Sequence, residues 1–323
     1  MTLVTQKSLF LLLVSIIAVF GDFEDSITFT AFTKSGDKFV TTFDDNLTES
    51  GCNSSEKVAI IVHGWGESIE TNWVNDLIKN LREYRGGCII FMDYSNHSID
   101  RDYFNLVRKF GPISSVLIKK LDQLNNQGFD DENMFVYGFS FGAQLSIYAG
   151  MSYGKNRIAE MDLCDPAGPG FVLAFELKPT FAAKNVQCIH TSSAKGTMKR
   201  NCHQDWLMGK CGRSQDAAGI FPRGSHGLCP KFYNSAFTNN FYATDNIYRC
   251  PSRRIAGNVP MNFKMGYMET RKNNVFGDLF SPTSECYPYN NLPAAGIDPR
   301  PGPFARMRRQ RLTQELRRCD SLI

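Results

Sequence analysis

The five residues Gly138-Phe-Ser-Phe-Gly142 carry the sharpest chemical signal in the chain. The run Asn133 to Phe139 is apolar and aromatic enough for a buried strand, and Ala143 to Tyr148 suits a packed helix. A serine on a sharp strand-to-helix turn stands clear of the sheet and faces a substrate. Flanking glycines let strand and helix approach without a Cβ clash. Ser140 is therefore the candidate nucleophile for acyl transfer. The pattern alone is weak, and the strand–turn–helix context is what separates it from an ordinary Gly-Ser turn.

A serine hydroxyl is a poor nucleophile at neutral pH. It needs a base, and the base needs a carboxylate to orient it. On sheets that carry this turn, the acid and then the histidine follow the serine along the chain. Of five histidines, His190, His203 and His226 lie beyond Ser140. His190 ends a predicted strand and reads as a hydrogen-bonded core residue. His203 sits in Cys-His-Gln-Asp-Trp, with Asp205 as a local partner. His226 sits in Arg-Gly-Ser-His-Gly-Leu-Cys, a loop of the kind that carries a general base at a sheet edge. Loop placement favours His226 over His203 without excluding the latter. For the acid, Asp165 lies just past a strand end, where Pro166 stops continuation. Asp162, three residues earlier, points to the other face. Asp-Pro also opens ordinary turns, so the acid role competes with a structural one.

The tetrahedral intermediate of acyl transfer needs backbone donors for its oxyanion, each typically worth ~3 kcal/mol. One is the N–H after the nucleophile, that of Phe141. The other comes from the loop after an early strand, here Val58-Ala-Ile-Ile-Val-His-Gly-Trp-Gly. Gly64 and Gly66 free that loop to turn inward, and the Trp65 N–H is the candidate donor. His63 reads as support for the loop rather than as a catalytic group. This chemistry requires no cofactor and no metal.

These groups must be held by a scaffold. Ser26 to Phe43 reads as an opening hairpin, and strands are expected at Val58–Val62, Cys88–Tyr94, Arg157–Leu163 and Val186–His190. Helical spacing appears at Trp73–Tyr84 and over one long segment, Tyr103–Leu124. Such alternation implies a mainly parallel sheet with helices on both faces. Residues 193–227 read as irregular, and strand-like segments return at Asn240–Ala243 and Asn262–Tyr267.

Residues 1–21 look like a secretory leader, with Lys7 ahead of an apolar stretch, Leu9 to Phe20, that is too short to span a bilayer. Residues 22–291 form the packed domain and residues 292–323 a Pro- and Arg-rich tail. Of the net charge of +4, Lys7 contributes +1 and the tail +4, from seven Arg against three acids, leaving the remainder near −1. The basic character thus lies outside the candidate site, and the balance argues against a nucleic-acid partner. No later stretch is apolar enough to cross a membrane. Ten cysteines fit an exported protein. Cys52 with Cys88, and Cys211 with Cys229, suggest themselves as pairs, although spacing does not fix connectivity. A zinc set of Cys202, His203, Cys211 and Cys229 lacks tight ligand spacing. Asn46, Asn53 and Asn96 stand in glycosylation sequons.

Taken in order, Ile60-Ile-Val-His-Gly-Trp, Met92-Asp-Tyr-Ser, Tyr137-Gly-Phe-Ser-Phe-Gly, Asp165-Pro-Ala-Gly-Pro, Ile189-His-Thr, Cys202-His-Gln-Asp-Trp, Gly224-Ser-His-Gly-Leu-Cys and Met265-Gly-Tyr-Met resemble the animal pancreatic-lipase-like family, particularly its insect members. The family contains triacylglycerol lipases, phospholipases A1 and inactive yolk proteins. The resemblance spans roughly residues 30–290 and implies an α/β-hydrolase fold. By the same resemblance Ser140, Asp165 and His226 correspond to a catalytic triad, and Trp65 and Phe141 to the oxyanion donors. It separates His226 from His203, which falls in a different family segment. It also implies a secreted hydrolase of lipid esters acting at a membrane or droplet surface, with an inactive lipid-binding or yolk-type protein as the alternative. Phe139 departs from a histidine common in the family. The stretch from Cys211 to the His226 segment is under twenty residues and polar, with Arg213, Gln215, Asp216 and Arg223. A lid that short resembles the phospholipase-leaning members. The family's C-terminal β-sandwich domain finds no counterpart in the sequence, so recruitment of a colipase-like partner through it is not expected.

Overall fold

A computed structural model describes residues 23–34, 38–41, 47–48, 51–171, 176–219 and 224–290. The leader, the basic tail, Asn46 and Arg223 lie outside the described residues. Asn53 and Asn96 are exposed.

The architecture expected from the sequence is observed. Strands β1 (Thr28–Phe32), β2 (Lys38–Thr41), β3 (Val58–Val62), β4 (Cys88–Asp93), β5 (Met134–Phe139), β6 (Ile158–Cys164), β7 (Ala183–His190), β8 (Gln204–Met208) and β9 (Gly277–Ser281) form one sheet in the order β2-β1-β4-β3-β5-β6-β7-β8-β9. The β1–β2 hairpin is antiparallel, and so is the β1–β4 pairing. Every other neighbouring pair is parallel. Residues of β3 and β5 are buried without exception, as strands covered on both faces must be.

Among the described residues, besides a helical turn at 23–26, the α-helices are α1 (Asn72–Tyr84), α2 (Ser95–Ser98), α3 (Tyr103–Arg108), α4 (Phe110–Asn126), α5 (Phe141–Tyr153) and α6 (Cys229–Ser235). Alternate residues of β3 sort them into two layers. Val58, Ile60 and Val62 join the core that contains Phe110, Ile113 and Leu117 of α4 and Leu145 and Ala149 of α5. Ala59 and Ile61 join the opposite core, with Trp73, Leu77 and Leu81 of α1 and Phe232 and Tyr233 of α6. This is the period-two alternation of a strand meeting the 3.6-residue stripe of each helix.

Four expectations are corrected. The segment 103–124 is two helices broken at Lys109, because Pro112 has no N–H for the Arg108 carbonyl and its ring crowds that turn. The stretch 193–227 contains strand β8, which its buried polar residues concealed. Gln204 Nε2 donates to the carbonyls of Lys272 and Val275, and Asp205 accepts from several donors, so the amide nitrogen and the carboxylate are both met inside the sheet. Segments 240–243 and 262–267 meet only in an isolated bridge, Tyr242 to Lys264, while β9 follows them. Cys52–Cys88 pair as expected, but Cys229 pairs with Cys164 and Cys211 with Cys250. Cys229 opens α6 beneath the end of β6, whereas Cys211 lies with Leu207, Cys250 and Phe280. Cys188 pairs with Cys202, so the sulfurs of the zinc set are engaged with other partners.

Candidate active site

The candidate groups gather where the parallel strands end, the side of an open α/β sheet where loops converge. Ser140 follows β5 directly and opens α5 with φ +56° and ψ −118°. An L-residue in that conformation is strained at a cost of order 1–3 kcal/mol, and the surroundings impose it. Ser140 N–H donates to the Cys164 carbonyl at 3.0 Å, and its carbonyl accepts from Ala167 N–H at 3.0 Å. The glycines are required by contact. A Cβ on Gly142 would stand 2.2 Å from the His63 carbonyl oxygen, and one on Gly138 2.7 Å from Ala143 Cα.

Ser140 Oγ lies 2.7 Å from His226 Nε2, and His226 Nδ1 lies 2.5 Å from Asp165 Oδ2. Asp165 is fully buried. Its other oxygen accepts from the N–H groups of Thr191 and Ser192, at 2.8 and 3.2 Å. Its φ is +42°, and its own N–H donates to the Ile189 carbonyl at 2.7 Å. Gly196 stands against the carboxylate so closely that a Cβ there would fall 2.4 Å from Asp165 Oδ1. The imidazole of His226 packs on the Phe139 ring, with centroids 4.9 Å apart. Phe139 thus packs against the candidate base where the sequence offered only a departure from pattern. A hydroxyl, an imidazole and a buried carboxylate in this line form a chain able to take a proton from Ser140 and return it.

The loop after β3 borders the serine. A Cβ on Gly64 would stand 3.1 Å from Ser140 Cβ. Gly66 adopts φ +70°, and its N–H donates to the Ser98 carbonyl. Trp65 Nε1 donates to the Asp100 carbonyl at 2.7 Å, which leaves the indole on the rim. His63 Nδ1–H donates to the Gly64 carbonyl at 2.8 Å, while its Nε2 accepts from Tyr94 N–H at 3.3 Å. Because the Tyr94 amide can only donate, the proton sits on Nδ1. The bond from His63 therefore fixes the peptide plane whose N–H belongs to Trp65.

Glu67 escaped the sequence reading. It is buried beside the serine; Oε2 accepts from Gly64 N–H at 2.9 Å and Oε1 from Trp73 Nε1 at 2.8 Å. Its signal was an acid directly after His-Gly-Trp-Gly. The other two histidines beyond Ser140 are occupied elsewhere. His190 is buried, with Nε2 2.9 Å from Asp205 Oδ1. Burial opposes its charge, but the Asp205 carboxylate outweighs that and raises its pKa. His203 does not bond Asp205; its Nδ1 accepts from Val186 N–H at 2.9 Å, and burial lowers its pKa.

A cleft of about 220 Å³ opens over Ser140 and His226. Trp65, Tyr103, Phe139, Ala167 and Pro169 make its walls mainly apolar, with Glu67 and Lys195 as charged members. Trp65 on this wall is 38% exposed, and Ile99 and Phe104, in the segment that meets Trp65 and carries Tyr103, are 65% and 54% exposed. Within the described part of the stretch after Cys211, Gln215 N–H donates to Ser225 Oγ, and its side chain donates to the Thr191 and Met208 carbonyls.

Residues 23–209 match the model of the family described as Lipase. The chain is 29% identical to hepatic triacylglycerol lipase of Mus musculus over 136 residues, covering 39% of this chain and 26% of that one. It is 27% identical to pancreatic triacylglycerol lipase of Mus musculus over 162 residues, covering 48% and 34%. It is 26% identical to phospholipase A1 member A of Rattus norvegicus over 153 residues, covering 46% and 33%. The chain thus spans between a quarter and about a third of the length of these relatives, and the family match ends before His226.

Proposed function

The chain belongs to the lipase family, and from that premise we propose that it is a secreted serine hydrolase of fatty-acyl esters, acting on phospholipids or glycerides at a lipid surface. One observation carries the reading: the unbroken contact chain Ser140 Oγ, His226, Asp165, at 2.7 and 2.5 Å. In the first half of the reaction His226 Nε2 accepts the Ser140 proton as Oγ attacks the ester carbonyl carbon. The carbonyl oxygen becomes an oxyanion and takes hydrogen bonds from the Trp65 and Phe141 N–H groups. Collapse breaks the ester bond, and the alcohol leaves with the proton from His226. Water then attacks the acyl-enzyme by the same path in reverse and frees the fatty acid. Asp165 holds the imidazole in orientation and is not itself the proton acceptor.

The apolar cleft suits an acyl chain, and the exposed apolar rim suits a lipid surface. The short, polar stretch after Cys211 leans toward phospholipid. The disulfides and the leader-like N-terminus support export. A yolk-type storage role finds no support in a chain that retains serine, base and acid in contact.

The test is hydrolysis by the purified protein of phospholipid vesicles and triacylglycerol emulsions. Fatty-acid release is expected from at least one of them, and Ser140→Ala is expected to lower it roughly 10⁴-fold or more. An unchanged rate in Ser140→Ala would contradict the mechanism.

A further inference from the structure

Cys164 is the last residue of β6 and the immediate neighbour of Asp165. Cys229 is the first residue of α6, three positions after His226. The two form a disulfide, and both are fully buried. A covalent bond therefore joins the strand that presents the acid to the helix that follows the base, across 65 positions of sequence.

We propose that Cys164–Cys229 is a positioning element of the active site, which sets the separation of Asp165 from His226 rather than merely stabilising the fold. This rests on the hydrolase reading above. The backbone on both sides needs such a constraint. Asp165 adopts φ +42° right after the cysteine, so the acid leaves the strand through a strained residue. His226 lies between Gly224, at φ +46°, and Gly227, and both neighbours add backbone freedom. The single turn His226–Leu228 then runs straight into Cys229. The bond ends that freedom within three residues of the imidazole. Cys229 Sγ also lies 3.5 Å from the carbonyl oxygen of Ile189, the same oxygen that accepts the Asp165 N–H. One buried junction thus touches the acid's strand, the acid's backbone acceptor and the base's helix. Among the described residues, Cys52–Cys88, Cys188–Cys202 and Cys211–Cys250 do not join these two elements: Cys52–Cys88, for one, joins the loop before β3 to the start of β4.

The experiment compares Cys164→Ala/Cys229→Ala with Cys52→Ala/Cys88→Ala, both as full-length protein at a temperature where circular dichroism reports a native fold. The first pair is expected to lose kcat by on the order of 10²-fold on a soluble short-chain ester, with KM nearly unchanged, the scale for about an ångström of misplacement. Labelling of Ser140 by a fluorophosphonate is expected to slow in parallel. The second pair is expected to melt earlier yet keep kcat. If the alanine pair does not fold, Cys164→Val/Cys229→Ala refills the space among Phe139, Leu228 and Ile189 and gives the same readouts. Native kcat in either folded variant overturns the proposal. So does failure of both to fold, which would assign the bond to stability. A fully active Ser140→Ala control would instead sink the hydrolase reading itself.

Discussion

His63 shows how much of this site depends on a group that does not line the cleft. Burial pushes its imidazole down to about 4, against the raising influence of the Gly64 carbonyl and the Asp93 carboxylate. The neutral ring then holds its Nδ1 proton toward Gly64 throughout the neutral range. The folded pKa lies below the ordinary value of 6.5, so the unfolded chain binds the extra proton first as pH falls. The stabilisation is complete above pH 6.5 and drains away down to about pH 4, by roughly 3 kcal/mol at the end. His190 works in the opposite sense: its raised pKa gives stability that is present in acid and lost as pH rises through the folded value. A difference measurement isolates His63. Wild type is expected to lose stability on acidification from pH 6.5 to 4 more steeply than His63→Gln, by urea titration at each pH; parallel curves would contradict the assignment.

Among the elements, the β5–α5 elbow is the one most exposed to a single methyl group. Gly142 abuts the Val62 and His63 carbonyl oxygens at 2.4 and 2.2 Å for an added Cβ, both backbone atoms that cannot rotate away. Gly142→Ala is expected to cost about 3 kcal/mol or more, above ordinary overpacking. Gly111→Ala, with nothing within 4 Å of the added atom, is expected to be neutral or slightly stabilising. Urea midpoints check both; a neutral Gly142→Ala would refute the packing argument. The same elbow explains what was legible in the sequence. Its glycines, the order serine–acid–histidine and the apolar runs of β3, β4 and β5 each state a local requirement, and local requirements are written locally. What stayed hidden depends on distant partners. β8 carries Gln204 and Asp205 into the sheet because Lys272, Val275, His190 and Arg254 meet them there. Cys229 chose Cys164 over Cys211 because α6 docks under β6. Glu67 matters only once Trp73 and Gly64 converge on it.

For the whole molecule, the cleft and its rim define one working face. Trp65 meets Tyr103 edge-on at 5.5 Å, Tyr103 meets Phe104 at 5.7 Å, and the Tyr103 hydroxyl donates to the Pro169 carbonyl, which ties the loop 99–104 to the cleft wall. Ile99 and Phe104 stand outside the reaction centre, so Ile99→Ser/Phe104→Ser is expected to reduce turnover on vesicles about tenfold or more while leaving a soluble short-chain ester unaffected. At ~25 cal/mol per Å² of apolar area removed from water, two such side chains supply that difference. Equal rates on vesicles would remove the rim from the account. The most direct test of the central claim is fluorophosphonate labelling followed by peptide mapping. One adduct per chain is expected, on Ser140, formed rapidly in wild type and very slowly in His226→Ala. No adduct, or an adduct that ignores the loss of His226, would contradict an activated serine at position 140.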